Sequence, residues 1–216
     1  MFSSPTGALT LEIILSRYIL PYGGLMIAFT VHEFAHAWVT DRLGDPTPRY
    51  LKRLTLNPLN HIDPVGFLAL IFFRVGWGKP VPINPYYYRH PRRDLLLTSV
   101  AGISANLALA IISTFLLYIL KFLPFANLYL SQFLLYLFIY SLVLMLFNLL
   151  PLPPLDGFKA FLLIFMRHPF HLIEDRQVNL FGVLVLIALL YLGIIPSYIT
   201  HGIGFFHNLL RLLGAI

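Results

Sequence analysis

The chain has 216 residues, enough for one domain or one compact membrane unit, and its composition excludes an ordinary soluble globule. Hydrophobic residues make up 58% of it and charged residues only 11%, against about a quarter charged in soluble domains. The formal net charge is +6, but no basic run is interleaved with aromatic residues, which argues against nucleic acid as a partner. We therefore expect an all-α integral membrane protein whose residues 1–216 form one domain embedded in the lipid bilayer.

Taken in order, the chain begins with a predicted interfacial helix over residues 1–20. Glu12 and Arg17 make this stretch too polar to span a bilayer comfortably. The first full span is predicted over residues 21–43, because Pro21 suits a helix start and turn residues follow the last apolar position.

The stretch over residues 45–93 is less regular. The apolar run at residues 65–73 is too short to cross a bilayer as a helix, so we expect a re-entrant or interfacial segment. In residues 77–88, prolines alternate with other residue types, which indicates extended chain. This stretch could form a short membrane-associated β-hairpin. The part around Val81 and Ile83 could also pair with an extended substrate as an added strand.

Three more spans follow, over residues 95–120, 128–150 and 178–195, and Pro196 is predicted to stop the last one. The sequence thus predicts four main transmembrane helices. The segment between the first two spans carries eight basic residues, more than half of the 15 in the chain: Arg49, Lys52, Arg53, Arg74, Lys79, Arg89, Arg92 and Arg93. The positive-inside rule places this segment in the cytoplasm.

The pattern His32-Glu33-x-x-His36 lies in the inner half of the first predicted span. Residues four apart share one face of a helix, so both imidazoles can reach one metal ion. Glu33 lies beside them, where a carboxylate can accept a proton from water at the metal. Random placement of the 8 His and 3 Glu predicts about 0.004 occurrences, so chance is a poor explanation. Ionisable residues are costly inside a membrane and by default mark a functional site.

A catalytic zinc ion usually has three protein ligands and a water, so a third ligand is needed. The absence of cysteine excludes thiolates. Most of the six Asp residues lie in polar loops beside basic residues, whereas Asp156 lies at the inner end of the third span, at the depth of the two histidines. Two alternatives stay open: Asp156 could be a helix N-cap, and the histidine motif could be a polar packing cluster without metal.

The motif and the later pattern Asn148-x-x-Pro151-x-Pro153-x-x-Asp156-Gly157 together resemble the site-2 protease family of intramembrane zinc metalloproteases. Residues 42–47, residues 54–64 and Ala101-Gly102-x-x-x-Asn106 are similar to the same family, so the resemblance extends from about residue 20 to residue 160. Residues 21–160 are the expected catalytic core, and residues 161–216 are the expected C-terminal helices. We expect a minimal form of this family, without a PDZ-type insertion or other soluble domain.

The resemblance implies a role for each matching residue. His32, His36 and Asp156 would bind one Zn²⁺, Glu33 would be the general base, and Asn148 would help to hold the substrate or its oxyanion. The expected reaction is hydrolysis of a peptide bond in or near the transmembrane segment of a single-span membrane protein. The expected setting is a cell membrane, with a prokaryotic cytoplasmic membrane favoured by the small size and the active site toward the cytoplasm.

Other functions remain open at this stage. A metal or ion transporter could use His32, His36 and Asp156 as a transit site, and a membrane adaptor could retain a structural zinc ion. Asn148 could be an interhelical hydrogen bonder, and Gly102 and Asn106 are expected mainly to serve close helix packing.

The remaining polar and aromatic residues have simpler interpretations. His61, His90, His168 and His171 are expected at the membrane interface, and residues 86–88 are expected to form an interfacial aromatic belt. A second metal site at His201 and His207 is disfavoured, because the two face only partly the same way.

Overall fold

The computed structural model describes residues 11–73, 76–123 and 128–212, and within these ranges the chain is helical, with no β-strand. The helices in these ranges are α1 (Leu11–Arg42), α2 (Thr47–Tyr50), α3 (Pro64–Phe73), α4 (Pro91–Leu120), α5 (Leu128–Leu149), α6 (Asp156–Phe165), α7 (Phe170–Glu174), α8 (Arg176–Tyr191) and α9 (Ile194–Leu212). Short 3₁₀ turns lie at Pro58–Asn60 and Pro85–Tyr87. The predicted all-α architecture is confirmed for this part of the chain.

Helix α1 runs without a break through the predicted boundary at residue 20. Pro21 therefore lies inside α1, directly after a π-helical turn at Leu15–Ile19. A proline ring lacks the N–H of a normal helical residue and crowds the preceding turn, and a π-type turn relieves that crowding by widening the helix. The predicted interfacial helix and the first span are thus one element, apart from residues 1–10, which lie outside the described residues.

Helices α1, α4 and α5 are long and apolar enough to cross a membrane, and they pack against one another. Between α4 and α5 lies an apolar cluster of Ala110, Phe138, Leu142, Met145 and Leu146, and Ala28 of α1 belongs to a second cluster with residues of α5. Helix α1 approaches α5 so closely that a Cβ at Gly24 would lie 3.0 Å from the backbone N of Leu137. Such small-residue contacts are typical of helix pairs in membranes.

The predicted fourth span is wrong in its C-terminal boundary. Helix α8 ends at Tyr191, Gly193 adopts a φ of 75°, and α9 leaves at an angle of 70° to α8. Glycine tolerates this left-handed conformation, which favours a helix end here. Pro196 lies in the first turn of α9, where a missing N–H costs no hydrogen bond, so it helps to start a helix. The described residues therefore contain three candidate spans, or four if the bent pair of α8 and α9 crosses as one.

The predicted β-hairpin is also wrong. Among the described residues this region has one isolated antiparallel bridge, Ile62 to Gly78, next to a hydrogen bond from Lys79 N–H to His61 O at 2.8 Å. The prolines at positions 80, 82 and 85 carry no N–H, so they cannot extend the ladder. The short apolar run is a ten-residue helix, α3, about 15 Å long and too short to cross a bilayer.

Buried polar contacts tie the irregular segment to α1. The carboxylate of Asp45 is fully buried and accepts hydrogen bonds from the backbone N–H of Thr47 at 2.9 Å and of Asn84 at 2.7 Å. The Tyr88 hydroxyl donates to Thr40 Oγ1 at 3.2 Å, and burial raises the pKa of this hydroxyl. Tyr88 is only 5% exposed, so the predicted aromatic belt at residues 86–88 does not include it.

Candidate metal centre

Three side chains from two distant stretches meet at one point of the helix bundle. Asp156 Oδ2 lies 3.2 Å from His32 Nε2 and 2.9 Å from His36 Nε2, and the two Nε2 atoms are 3.0 Å apart. All three side chains are buried, and no other group of His, Asp or Glu with metal-ligand spacing occurs among the described residues.

The donor set fits a metal ion. Two ligands on a tetrahedral zinc ion are separated by about 3.3 Å, because each lies about 2.0 Å from the ion, so the observed separations need only small adjustments. Helix α4 packs closely against the two imidazoles, because the residue that faces them is Gly102, which has no side chain. A Cβ at Gly102 would lie 2.4 Å from His36 Nε2 and 2.6 Å from His32 Nε2.

Asp156 reaches the imidazoles because the chain reverses tightly after α5. A Cβ at Gly157 would lie 2.5 Å from Leu149 O, so this turn needs glycine to pack against the end of α5. Helix α8 supports the same turn from its other side, where a Cβ at Gly182 would lie 2.3 Å from Pro153 O. Asp156 is the first residue of α6, and the N-cap is Leu155, which makes no side-chain cap. The N-cap alternative for Asp156 is therefore wrong.

Each imidazole is also contacted at its Nδ1 atom from α4. His36 Nδ1 donates to the backbone carbonyl of Thr98 at 2.7 Å, which leaves the lone pair of His36 Nε2 directed toward Asp156 and His32. His32 Nδ1 lies 3.1 Å from Asn106 Nδ2. Asn106 thus contacts a candidate metal ligand in addition to its predicted role in helix packing, and its spacing of four from Gly102 places both on one face of α4.

Lys159 belongs to the site and was missed by sequence reasoning. Its ammonium lies 3.1 Å from Asp156 Oδ1, while Asp156 Oδ2 faces the imidazoles. The two oxygens of the carboxylate thus have different partners, and the positive charge of Lys159 offsets part of the cost of burying it. The available signal was the spacing of three residues on a short helix that begins at Asp156.

A cavity of about 350 Å³ opens beside the three side chains. Its polar lining includes Glu33 and Asn148 as well as Lys159. Its walls are mostly apolar and come from α1, α3, α5 and the segment that follows α3, among them Leu25, Phe29, Phe67, Leu70, Trp77, Val81 and Phe147. The cavity is therefore amphipathic, and the candidate metal centre is part of its polar lining.

The two residues with predicted catalytic roles both face this cavity. Glu33 is half-buried, and its carboxylate makes no hydrogen bond or ion pair within the described residues, so it is free to accept a proton. Asn148 Nδ2 donates to Leu144 O of its own helix at 3.0 Å. The alternative interhelical hydrogen bond of Asn148 is not present among the described residues.

The other histidines divide into two groups. His61 is fully buried and bonds through Nε2 to Thr55 O at 2.8 Å, so its side chain faces the protein interior. The others are exposed at the surface of the described residues: His90, His168, His171, His201 and His207. His201 Nδ1 donates to Ser197 O at 2.7 Å, which occupies one of the two ring nitrogens of His201.

Known proteins with similar sequences carry related names. Peptidase family M50 matches residues 119–192, which include Asn148 and Asp156. A Bacillus subtilis protein named "Putative zinc metalloprotease YwhC" is 44% identical over 140 residues, which cover 62% of this chain and 64% of that protein. Proteins named "Putative zinc metalloprotease Rip2" are 33% identical over 150 residues in Mycobacterium tuberculosis and 34% identical over 153 residues in Mycolicibacterium smegmatis.

Each Rip2 alignment covers 66% of this chain and 56% of the relative. The chain thus spans less than two thirds of the length of these curated relatives. None of the solved structures matches the chain significantly. The family match and the names of the relatives confirm the resemblance to the site-2 protease family, Peptidase M50.

Gly102→Ala should prevent metal binding without unfolding the protein. The added methyl group would lie within 2.4–2.6 Å of both imidazoles, so the rings must turn away from Asp156. Elemental analysis of purified protein should find the metal content of Gly102→Ala reduced to background. Gly204→Ala is the matched control, because a Cβ at Gly204 meets nothing within 4 Å. Equal metal contents in both variants would contradict the position of the metal centre.

Proposed function

We propose that this chain, which carries the Peptidase family M50 match, is an intramembrane zinc metalloprotease. The observation that supports it most is the convergence of His32, His36 and Asp156 beside a large, mostly apolar cavity within a bundle of candidate spans. The similar proteins are named as zinc metalloproteases, which favours a hydrolase over the transporter that the sequence also allowed. A free carboxylate at Glu33 favours catalysis over a structural zinc site, which needs no base.

Zinc is the metal that suits these ligands. Two imidazole nitrogens and one carboxylate oxygen make up a three-residue set typical of catalytic zinc. When bound, zinc polarises the carbonyl of the scissile bond and lowers the pKa of water. His32, His36 and Asp156 would hold the ion, and Lys159 would keep the second oxygen of Asp156 occupied.

Glu33 and Asn148 supply the remaining functions. Glu33 accepts the proton of the attacking water and passes it to the departing amine, a role that requires a carboxylate at the cavity wall without a permanent partner. Asn148 can rotate its amide away from Leu144 O and donate to the oxygen that becomes negative as the peptide carbonyl is attacked. Both side chains reach the cavity from helices, which restricts their movement.

The substrate we propose is the transmembrane segment of a single-span membrane protein. A helix in lipid satisfies its own backbone hydrogen bonds, so the segment must unwind locally before a carbonyl can reach the site. The cavity suits this task, because its apolar lining can contact the side chains of the unwound segment and its polar lining can contact the peptide group. We further propose that the protein lies in a cell membrane, with a prokaryotic cytoplasmic membrane favoured because the curated relatives are bacterial.

Glu33→Gln should abolish cleavage and keep zinc, whereas His36→Ala should lose both. The amide cannot act as a base but leaves the three ligands in place, so we expect a rate loss of about 10²–10⁴-fold. Zinc is measured by elemental analysis, and cleavage is measured on a single-span substrate in proteoliposomes with and without chelator. A zinc-free Glu33→Gln beside a zinc-loaded His36→Ala would refute the assignment.

Asn148→Leu should lower kcat about 10²–10³-fold, the usual loss when one donor to a developing oxyanion is removed. Its zinc content should stay at the wild-type level, because Asn148 is not a ligand. Asn179→Leu is a matched control, since Asn179 donates to backbone carbonyls of its own region, away from the cavity. An unchanged kcat in Asn148→Leu would remove Asn148 from the mechanism.

The orientation can be tested with single cysteines, because the chain has none of its own. Tyr86 is 95% exposed in the basic segment and Phe122 is 70% exposed at the opposite end of α4. A membrane-impermeant thiol reagent should label Tyr86→Cys in inside-out vesicles and Phe122→Cys in right-side-out vesicles, as the positive-inside rule requires. The reverse labelling pattern would overturn the proposed cytoplasmic side.

A further inference from the structure

Asn106 has the features of a residue that controls one metal ligand. It lies on α4, its side chain is completely buried, and Asn106 Nδ2 is 3.1 Å from His32 Nδ1. The amide oxygen of Asn106 is buried as well and has no hydrogen-bond partner within the described residues. Buried amide oxygens are nearly always hydrogen-bonded, so an orientation of the amide that turns this oxygen toward a donor is favoured.

The direction of this hydrogen bond decides which nitrogen of His32 carries the proton. When Asn106 donates through Nδ2, His32 Nδ1 accepts, so the ring proton lies on Nε2 and points toward Asp156 at 3.2 Å. A protonated Nε2 cannot bind a metal ion. When the amide turns over, Asn106 Oδ1 accepts the proton of His32 Nδ1, and Nε2 presents a lone pair to the same place.

His36, the other imidazole, already has the arrangement in which Nδ1 carries the proton and Nε2 presents a lone pair. His36 Nδ1 donates to a fixed backbone carbonyl, that of Thr98, at 2.7 Å, so the proton of His36 is held away from the metal centre. His32 has no such carbonyl within hydrogen-bond reach in the described residues, and Asn106 is its partner at Nδ1. A side-chain amide can present either an acceptor or a donor to the ring after a half-turn.

We propose that Asn106 is a positioning residue whose amide oxygen accepts the Nδ1 proton of His32 and so leaves His32 Nε2 free to bind zinc. The inference rests on the proposed function, because it assigns Asn106 a role toward the zinc ion of that site. The proposed role of Asn106 is distinct from close packing of α1 on α4. Packing requires only the size of the side chain, whereas this role requires an oxygen facing His32.

Two substitutions separate these roles. Asn106→Asp has nearly the same shape and can only accept at neutral pH, so it should preserve the required oxygen. Asn106→Leu has a similar size and offers no polar atom. The control is Asn179→Leu, which makes the same chemical change on α8, where the amide of Asn179 donates to two backbone carbonyls.

The measurement is zinc affinity of the purified full chain in detergent, by competition with a chromophoric chelator, with the visible spectrum of bound Co²⁺ as a second readout. Asn106→Leu should weaken zinc binding about 10- to 100-fold, the usual loss on removing an outer hydrogen bond to a ligating histidine, whereas Asn106→Asp should stay within about threefold of wild type. The Co²⁺ spectrum of Asn106→Leu should also change, because the ring of His32 is no longer held in place.

The possible results are distinct. Wild-type affinity in Asn106→Leu, or a loss in Asn106→Asp as large as in Asn106→Leu, would overturn the role of Asn106 and leave the proposed function standing. A wild-type protein that binds no zinc would overturn the proposed function itself, and this inference with it. If Asn106→Leu does not melt cooperatively after chelation, Asn106→Asp decides alone: tight binding supports the role and loss of binding overturns it.

Discussion

A carboxylate held against two imidazoles inside an apolar bundle is the contact on which the rest of this structure depends. Burying a charged Asp156 without partners would cost several kcal/mol, and removing either histidine would leave part of that cost uncompensated. Lys159, Gly102 and the tight turn at Gly157 all serve the same arrangement. Much of the residue choice in this region follows from the need to bring three ligand atoms within about 3 Å of one another in a nonpolar surrounding.

The contact also explains how the helices are arranged around it. Helix α1 supplies both imidazoles, α4 holds their outer nitrogens through Thr98 and Asn106, and α6 supplies the carboxylate. Helix α3 and the segment after it cover the cavity without forming a sheet. The cavity is thus lined by short and irregular elements as well as by long helices, which suits the proposed entry of an unwound peptide.

Much of this could be predicted from the sequence, because the strongest signals are local. Helical spacing puts His32 and His36 on one face, and long apolar runs define α1, α4 and α5. Asp156 could be proposed because the positive-inside rule placed it at the depth of the histidines. What the sequence did not reveal depends on contacts between distant segments, such as Lys159 beside Asp156 and the buried positions of His61 and Tyr88. Local rules also misplaced the end of α8, because Pro196 suits a helix start as well as a helix stop.

The long separation between the ligands has a consequence for synthesis of the protein. His32 and Asp156 are 124 residues apart, and the turn that presents Asp156 is supported by α8, which is made later still. A growing chain that has inserted its first helices therefore carries two imidazoles and no carboxylate to complete the centre. The early helices thus enter the membrane with an incomplete ligand set, and the metal centre can form only after α6 and α8 have been added.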